Sequence, residues 1–126
     1  TAGTPWFYVN DNYREINVEA QEHDPDSLLN FYRKAIALRK RLRVVRDGKY
    51  RDCCPLAGSL YMYTREMKGQ RLLVVCSFTA RPLTVLPPKG YDLAQGKLVL
   101  QSHPVADPAI PFRTRPYETR VYLFEE

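Results

Sequence analysis

The sequence predicts a mainly β chain, an antiparallel β-sandwich of the Greek-key type preceded by a long loop and one amphipathic α-helix. Three observations support this fold class. Apolar residues recur at spacings of three and four only between residues 24 and 43. From Val44 onward, short alternating or apolar runs are separated by turn residues, which is typical of antiparallel strands. Residues 1–23 follow neither period.

The first 23 residues are predicted to form a long loop. Asn10, Asp11 and Asn12 favour turns because Asx side chains bond to their own backbone. Aromatic residues, among them Trp6 and Tyr8, are interspersed with these polar residues. An aromatic, polar and non-periodic segment of this kind is expected to pack on a larger neighbouring body.

The helix is predicted over residues 24–43. Asp24 is expected to cap it and Pro25 to occupy its first position, with His23 serving the helix start. The basic residues from Arg39 onward suit the negative end of the helix dipole. The apolar face is wide enough to need a partner of its own. We therefore expect self-association, or packing of the helix against the sandwich, through an exposed stripe of Leu28, Phe31, Tyr32, Ile36 and Leu38.

The remainder, residues 44–126, is predicted to be the sandwich domain. The central feature is a hairpin in which residues 59–67 and 71–78 are joined by a turn at Lys68-Gly69-Gln70. Further strands are predicted near residues 48–50 and at 83–86, 97–101 and 119–124. Prolines at 104, 108, 111 and 116 predict an irregular connection before the last strand.

Composition limits the classes of function. The chain has 126 residues, which is enough for one domain with its own core. Its net charge is +5. It contains no apolar run of the ~20 residues that a membrane span needs. Its cysteines, Cys53, Cys54 and Cys76, are odd in number, which argues against a disulfide framework and predicts a reducing, cytoplasmic location. The absence of an initiating Met favours an excised segment.

No catalytic residue, metal ligand or cofactor is predicted. Asp24 and Asp26 are interpreted as helix-start residues, and Glu118 as a surface group or one member of a local pair. His23 and His103 lack metal-ligand spacing. The Arg39-Lys40-Arg41 cluster is explained by the helix dipole, so neither a nucleic-acid partner nor a membrane is expected.

Three segments resemble one known family. They are Thr4-Pro5-Trp6 with the run Val9-Asn10-Asp11-Asn12-Tyr13 to Val18, the stretch from Asp24 to Lys40, and Arg115-Pro116-Tyr117 to Leu123. In this order they resemble the C-terminal part of α-glucosidases of glycoside hydrolase family 13, of the oligo-1,6-glucosidase and trehalose-6-phosphate hydrolase type.

The resemblance implies a domain organisation. Residues 1–43 would be a remnant of the catalytic (β/α)8 barrel, with a loop at 1–23 and its last helix at 24–43. Residues 44–126 would be the C-terminal domain. The family's catalytic Asp, Glu and second Asp would all lie upstream. The parent enzyme would cleave α-glucosidic bonds of oligosaccharides with retention. This chain alone would be inactive, with the missing barrel as its partner.

Two questions of function stay open beside the role of a stabilising domain: the position of Trp6, and whether the chain binds carbohydrate. Trp6 either lies at the rim of the substrate cleft, where an aromatic face suits sugar stacking, or packs against the barrel. The chain could also be a carbohydrate-binding module, because nine tyrosines are available. Against that, Tyr61, Tyr63, Tyr117 and Tyr122 are expected in strands, in or beside the core.

Overall fold

The computed structural model describes residues 2–105, 108 and 112–125. The chain divides into two units, Thr1–Ile36 and Ala37–Glu126. The helices are α1 (Val18–His23), α2 (Leu28–Arg41) and α3 (Arg43–Asp47). The strands are β1 (Lys49–Asp52), β2 (Leu60–Met67), β3 (Gln70–Ser77), β4 (Thr84–Val85), β5 (Lys97–Gln101), β6 (Phe112–Arg113) and β7 (Thr119–Glu125). Among these described helices, none is long and apolar enough to cross a membrane.

The second unit is built on a five-stranded antiparallel sheet of order β1-β2-β3-β7-β5. Strands β4 and β6 form a separate two-stranded sheet. The predicted hairpin is the pair β2 and β3, turned at Gly69 with a φ of 78°. The predicted mainly β, antiparallel fold class is therefore confirmed.

The five-stranded sheet is buried on both faces, because alternate side chains of β3 and β7 enter different cores. One core holds Leu73, Val75, Tyr122 and Phe124, covered by residues of the long β3–β5 connection, namely Val85, Tyr91 and Leu93. The other holds Leu72, Val74, Val121 and Leu123, covered by Leu38, Leu42 and Val44 at the end of α2 and the start of α3. The end of the long helix is thus part of the sheet domain's own core.

The first unit differs from the predicted loop and helix start. Residues 18–23 form helix α1, capped by the Asn17 side chain, which accepts from the Ala20 N–H at 2.8 Å. Helix α2 begins at Leu28, and the Asn30 N–H donates to the Ser27 hydroxyl at 3.3 Å. Asp24 accepts instead from the Asp26 N–H at 2.9 Å, which forms an Asx turn. His23 lies in the last turn of α1, so its predicted place at the start of the long helix is wrong.

Two further elements differ from the sequence prediction. Val44 and Val45 lie in the short helix α3, although the strand pattern was expected to begin there. In the proline-rich connection, Phe112 and Arg113 pair with β4 as strand β6. Pro111 lies outside the described residues.

Candidate functional site

The aromatic segment of the first unit, which we define as Trp6, Phe7, Tyr8 and Tyr13, is exposed. Trp6 is 90% exposed and Tyr8 is 80% exposed. The rings of Trp6 and Phe7 lie with their centroids 4.3 Å apart. The Tyr8 hydroxyl donates to the Asp11 carboxylate, and this hydrogen bond raises the pKa of Tyr8. The ring faces of this segment are therefore available to a partner.

Local hydrogen bonds give this segment its shape. The Ile16 N–H donates to the Asn12 carbonyl at 2.8 Å, and the Tyr13 N–H donates to the Asn10 carbonyl at 3.1 Å. The Asn17 amide then donates to the Tyr13 carbonyl at 3.1 Å while its oxygen caps α1. The Asx residues that predicted turns therefore lead directly into α1.

A second exposed surface, which we call the helix stripe, consists of Leu28, Tyr32 and Ile36 on α2. These side chains are 66%, 60% and 51% exposed, and their spacing of four places them on one side of the helix. Leu38 was predicted in this stripe, but it is only 8% exposed because it packs on the sheet core. Phe31 is half-buried. The exposed stripe is therefore narrower than the sequence predicted.

Gln21 ties the end of α1 to the start of α2. Its side-chain oxygen accepts from the Leu29 N–H at 3.0 Å, and its carbonyl accepts from the Ser27 hydroxyl at 2.7 Å and from the Asn30 amide at 2.9 Å. Arg33 pairs with Glu22 at 2.7 Å. These bonds fix the first turn of α2, and with it Leu28, relative to α1.

A tyrosine cluster lies on the sheet of the second unit. The hydroxyls of Tyr50 and Tyr61 are 3.1 Å apart, and the ring of Tyr63 lies 5.4 Å and 5.1 Å from theirs. The bond to Tyr61, with smaller effects of burial and of the Asp52 charge, raises the pKa of Tyr50 to about 12. Tyr50 and Tyr61 are 45% and 38% exposed, whereas Tyr122 is fully buried. Tyr117, expected in a strand, is 63% exposed and lies before β7.

The carboxylates of Asp11, Asp24 and Glu118 each form a local hydrogen bond. Asp24 bonds to the Asp26 N–H and Asp11 to the Tyr8 hydroxyl. Glu118 is buried, not on the surface, but it does form a local pair, with Arg120 at 2.8 Å. Among the residues described, no three His, Cys, Asp or Glu side chains are grouped to hold a metal.

Comparison with known proteins agrees with the resemblance. Residues 1–48 match the model of the α-amylase catalytic domain. Over 126 residues the chain is 40% identical to the probable oligo-1,6-glucosidase 2 of Bacillus subtilis (strain 168), covering all of this chain and 22% of that protein. It is 38% identical to the trehalose-6-phosphate hydrolase of Escherichia coli (strain K12), covering 98% of this chain and 22% of that one.

Solved structures show the same relationship. The trehalose-6-phosphate hydrolase of Bacillus licheniformis superimposes with a TM-score of 0.89 at 32% identity, covering 100% of this chain and 23% of that chain. The trehalulose synthase of Pseudomonas mesoacidophila MX-45 superimposes with a TM-score of 0.88 at 35% identity, covering 98% of this chain and 22% of that chain. The chain therefore spans about 22% of the length of its curated relatives. Over its whole length the chain is therefore similar to the C-terminal segment of oligo-1,6-glucosidases and trehalose-6-phosphate hydrolases, enzymes of glycoside hydrolase family 13.

Proposed function

We propose that this chain acts as the non-catalytic C-terminal domain of an α-glucosidase and stabilises the (β/α)8 barrel of the same polypeptide. The observation that carries the proposal is the exposed helix stripe on α2, in a region that matches the α-amylase catalytic domain. Three large apolar side chains on one side of a helix are stabilised when a partner covers them. The barrel is the partner that the family provides.

The proposal assigns residues 1–43 to the barrel and residues 44–126 to the sandwich domain. The match to the catalytic domain over residues 1–48 supports a boundary in this region. The burial of Leu38 and Leu42 against the sheet supports a helix that serves both parts. Cleavage of α-glucosidic bonds with retention would then depend on an Asp nucleophile and a Glu acid/base elsewhere in the polypeptide.

The names of the relatives support a structural role. Similar segments occur in proteins named oligo-1,6-glucosidase, trehalose-6-phosphate hydrolase and trehalulose synthase. A segment shared by three differently named activities is not expected to select the substrate.

The location proposed for this chain is cytoplasmic, because its three cysteines are free, as expected in a reducing compartment.

Enzyme assays and melting curves test the stabilising role. We expect the chain alone to give no turnover of p-nitrophenyl α-glucoside. In a polypeptide that carries both barrel and chain, Tyr32→Asp should lower the Tm of the barrel by several degrees, because it places a charge in a buried contact. The control is Leu56→Asp, since Leu56 is 99% exposed in the loop after β1. Equal Tm values for the two variants, or turnover that survives repurification of the chain, would contradict the proposal.

Trp6 is proposed to contact the barrel, with the rim of the sugar cleft as the alternative. Its 90% exposure in this chain is compatible with both positions. In the polypeptide with the barrel, Trp6→Ala should lower the Tm and leave KM unchanged if the ring packs on protein. A several-fold rise in KM at constant Tm would instead place Trp6 at the cleft, where stacking on sugar contributes to binding.

A carbohydrate-binding module is the second candidate, favoured by the exposed rings of Tyr50 and Tyr61. Calorimetric titration of the chain with maltose or isomaltose tests it. Saturable heat that disappears in Tyr50→Ala would establish sugar binding at this cluster. Heat that persists in Tyr50→Ala, or no saturable heat at all, would exclude the cluster as a sugar site.

A further inference from the structure

One face of the five-stranded sheet is incompletely covered by the described residues. We call it the helix-side face, because the end of α2 and the start of α3 pack on it. Its buried residues are Leu72, Val74, Val121 and Leu123. Its half-buried residues are Tyr63, Cys76, Val99 and Leu100. The face therefore still has surface that a partner can cover.

The tyrosine cluster continues the helix-side face towards the edge strand β1. Tyr63 of β2 lies opposite Val74 of β3, and residues directly opposite each other point to the same side of a sheet. Tyr61 shares this side, because side chains alternate along a strand. Tyr50 of β1 lies opposite Arg65, which is two residues from Tyr63, so it points the same way. The three tyrosines and the core under α2 therefore belong to one surface.

The residues that already cover this face come from the part of the chain that matches the α-amylase catalytic domain, residues 1–48. They are Leu38, Leu42 and Val44. Arg65 joins this part to the sheet, since its guanidinium donates to the carbonyls of Arg46 at 3.2 Å and Gly48 at 2.9 Å. The contact between residues of the catalytic-domain match and the sheet thus reaches the strand position next to Tyr63.

The outer part of the cluster is exposed and offers a hydrogen-bond donor. Tyr50 and Tyr61 are 45% and 38% exposed. Their hydroxyls lie 3.1 Å apart, and among the described residues neither has another hydrogen-bond partner. Only one proton can lie between two hydroxyl oxygens, so the other proton is free to be donated outwards. A partner that suits this surface brings apolar groups for the rings and one acceptor for that proton.

We propose that the tyrosine cluster is a contact surface for the catalytic barrel of the same polypeptide. The inference rests on the proposed function, which supplies the barrel as the occupant. It follows from continuity, because residues of the catalytic-domain match already cover the inner part of the same face. In the relatives, of whose length this chain spans 22%, the remaining body is several times larger than the chain.

Hydroxyl-radical footprinting read by mass spectrometry tests this contact without a substitution. The oxidation rates of Tyr50 and Tyr61 are measured in the chain alone and in a polypeptide that carries both barrel and chain. We expect both rates to fall on the order of threefold in the longer polypeptide, because side chains at the centre of an interface lose their contact with solvent. Leu86 is the control, since it is 67% exposed and follows Val85, which belongs to the core on the opposite face.

Tyr32 of the helix stripe separates failure of this inference from failure of the proposed function. Protection of Tyr32 with unchanged rates at Tyr50 and Tyr61 would overturn the inference and leave the stabilising role of the chain intact. Unchanged rates at all three tyrosines would contradict both. Protection of Tyr50 and Tyr61 that appears only when maltose is added would assign the cluster to sugar, and would also overturn the inference.

A charge placed in the cluster gives a second readout. Tyr61→Glu should lower the Tm of the longer polypeptide by several degrees more than that of the chain alone, because the charge is buried only where the barrel covers it. The control Leu86→Glu should shift the two Tm values alike. Equal shifts for Tyr61→Glu in the two proteins would overturn the inference.

Discussion

Glu118 and Arg120 form a buried ion pair at the start of β7. Glu118 is 1% exposed and accepts from Arg120 Nε at 2.8 Å and from the Arg115 N–H at 2.7 Å. The Arg120 guanidinium lies 3.5 Å from the centroid of the Phe112 ring. Each charge is therefore satisfied on several sides, which is what makes burial of an ion pair tolerable.

Removing the negative charge of this pair should be costly. Glu118→Gln leaves the Arg120 charge buried without its counter-ion, and we expect a loss of about 3 kcal/mol in the free energy of unfolding. The measurement is urea unfolding followed by circular dichroism. The control is Glu22→Gln, whose surface pair with Arg33 should contribute about 1 kcal/mol or less. Similar losses in the two variants would contradict this account.

The phenol of Tyr91 should make the stability of the chain depend on alkaline pH. Burial, and then the hydrogen bond to Glu66 at 2.6 Å, raise the pKa of Tyr91 to about 12. An unfolded tyrosine titrates near 10, so the folded chain binds this proton more tightly. The resulting stability is complete below about pH 10 and is lost as the pH rises towards 12.

The variant Tyr91→Phe tests whether stability falls with rising pH because Tyr91 loses its proton. Between pH 10 and 12, the free energy of unfolding of the variant should fall less steeply than that of the unmodified chain. Absorbance at 295 nm should show one late-titrating phenol fewer. Tyr32→Phe serves as the control because Tyr32 is 60% exposed. Parallel pH profiles for the Tyr91 variant and the unmodified chain would show that Tyr91 does not titrate in this window.

At the scale of elements, the apolar residues of α2 and of Leu42, which follows it, fall into a buried group and an exposed group. Leu38 and Leu42 are buried against the sheet, whereas Leu28, Tyr32 and Ile36 are exposed. The one wide apolar face read from the sequence is thus divided along the helix. The C-terminal end stabilises the sheet domain, and the helix stripe remains for another surface.

Leu38→Ala and Ile36→Ala should separate these two groups. We expect Leu38→Ala to cost about 2–4 kcal/mol in unfolding free energy, because it leaves a cavity in the core. Ile36→Ala should change it by about 0.5 kcal/mol or less, since the side chain is 51% exposed. Chemical denaturation of both variants measures the difference. A cost for Ile36→Ala as large as that for Leu38→Ala would mean that the stripe is covered in this chain.

The elements also show what the sequence can predict. Strand β5 has its predicted bounds, because an alternating run lies between Gly96 and Ser102. The start of α2 was misplaced because Asp24 and Ser27 both suit a cap, and only the bonds to Gln21 decide between them. Val44 is a strand former by composition, but it lies in the short helix α3 and is completely buried in the core that holds Leu72 and Val74.

The site was predicted less fully than the fold. The helix stripe follows from a spacing of three and four residues, so most of its members were found from the sequence. Arg51 and Lys89 line one cavity although they are far apart in sequence, because the connection after β4 returns to the end of β1. No local pattern signals such a contact, and the burial of Glu118 is unpredictable for the same reason.

At the scale of the whole molecule, we expect the isolated chain to self-associate through the helix stripe. The driving force is the removal of apolar surface from water. Multi-angle light scattering should show an average mass that rises with protein concentration. Leu28→Glu with Ile36→Glu should restore the monomer, whereas the control Leu56→Glu should not. A chain that is monomeric at all concentrations would contradict this expectation.

The position of β7 has a consequence for synthesis. This strand lies between β3 and β5, although it is the last of the strands along the chain. Until its residues have left the ribosome, β5 has no neighbour in the sheet and β3 exposes an unpaired edge. During translation the hairpin of β2 and β3 therefore has an unpaired, aggregation-prone edge on β3 until β7 is available. Nascent chains that stop before Thr119 are the species that chaperones would have to protect.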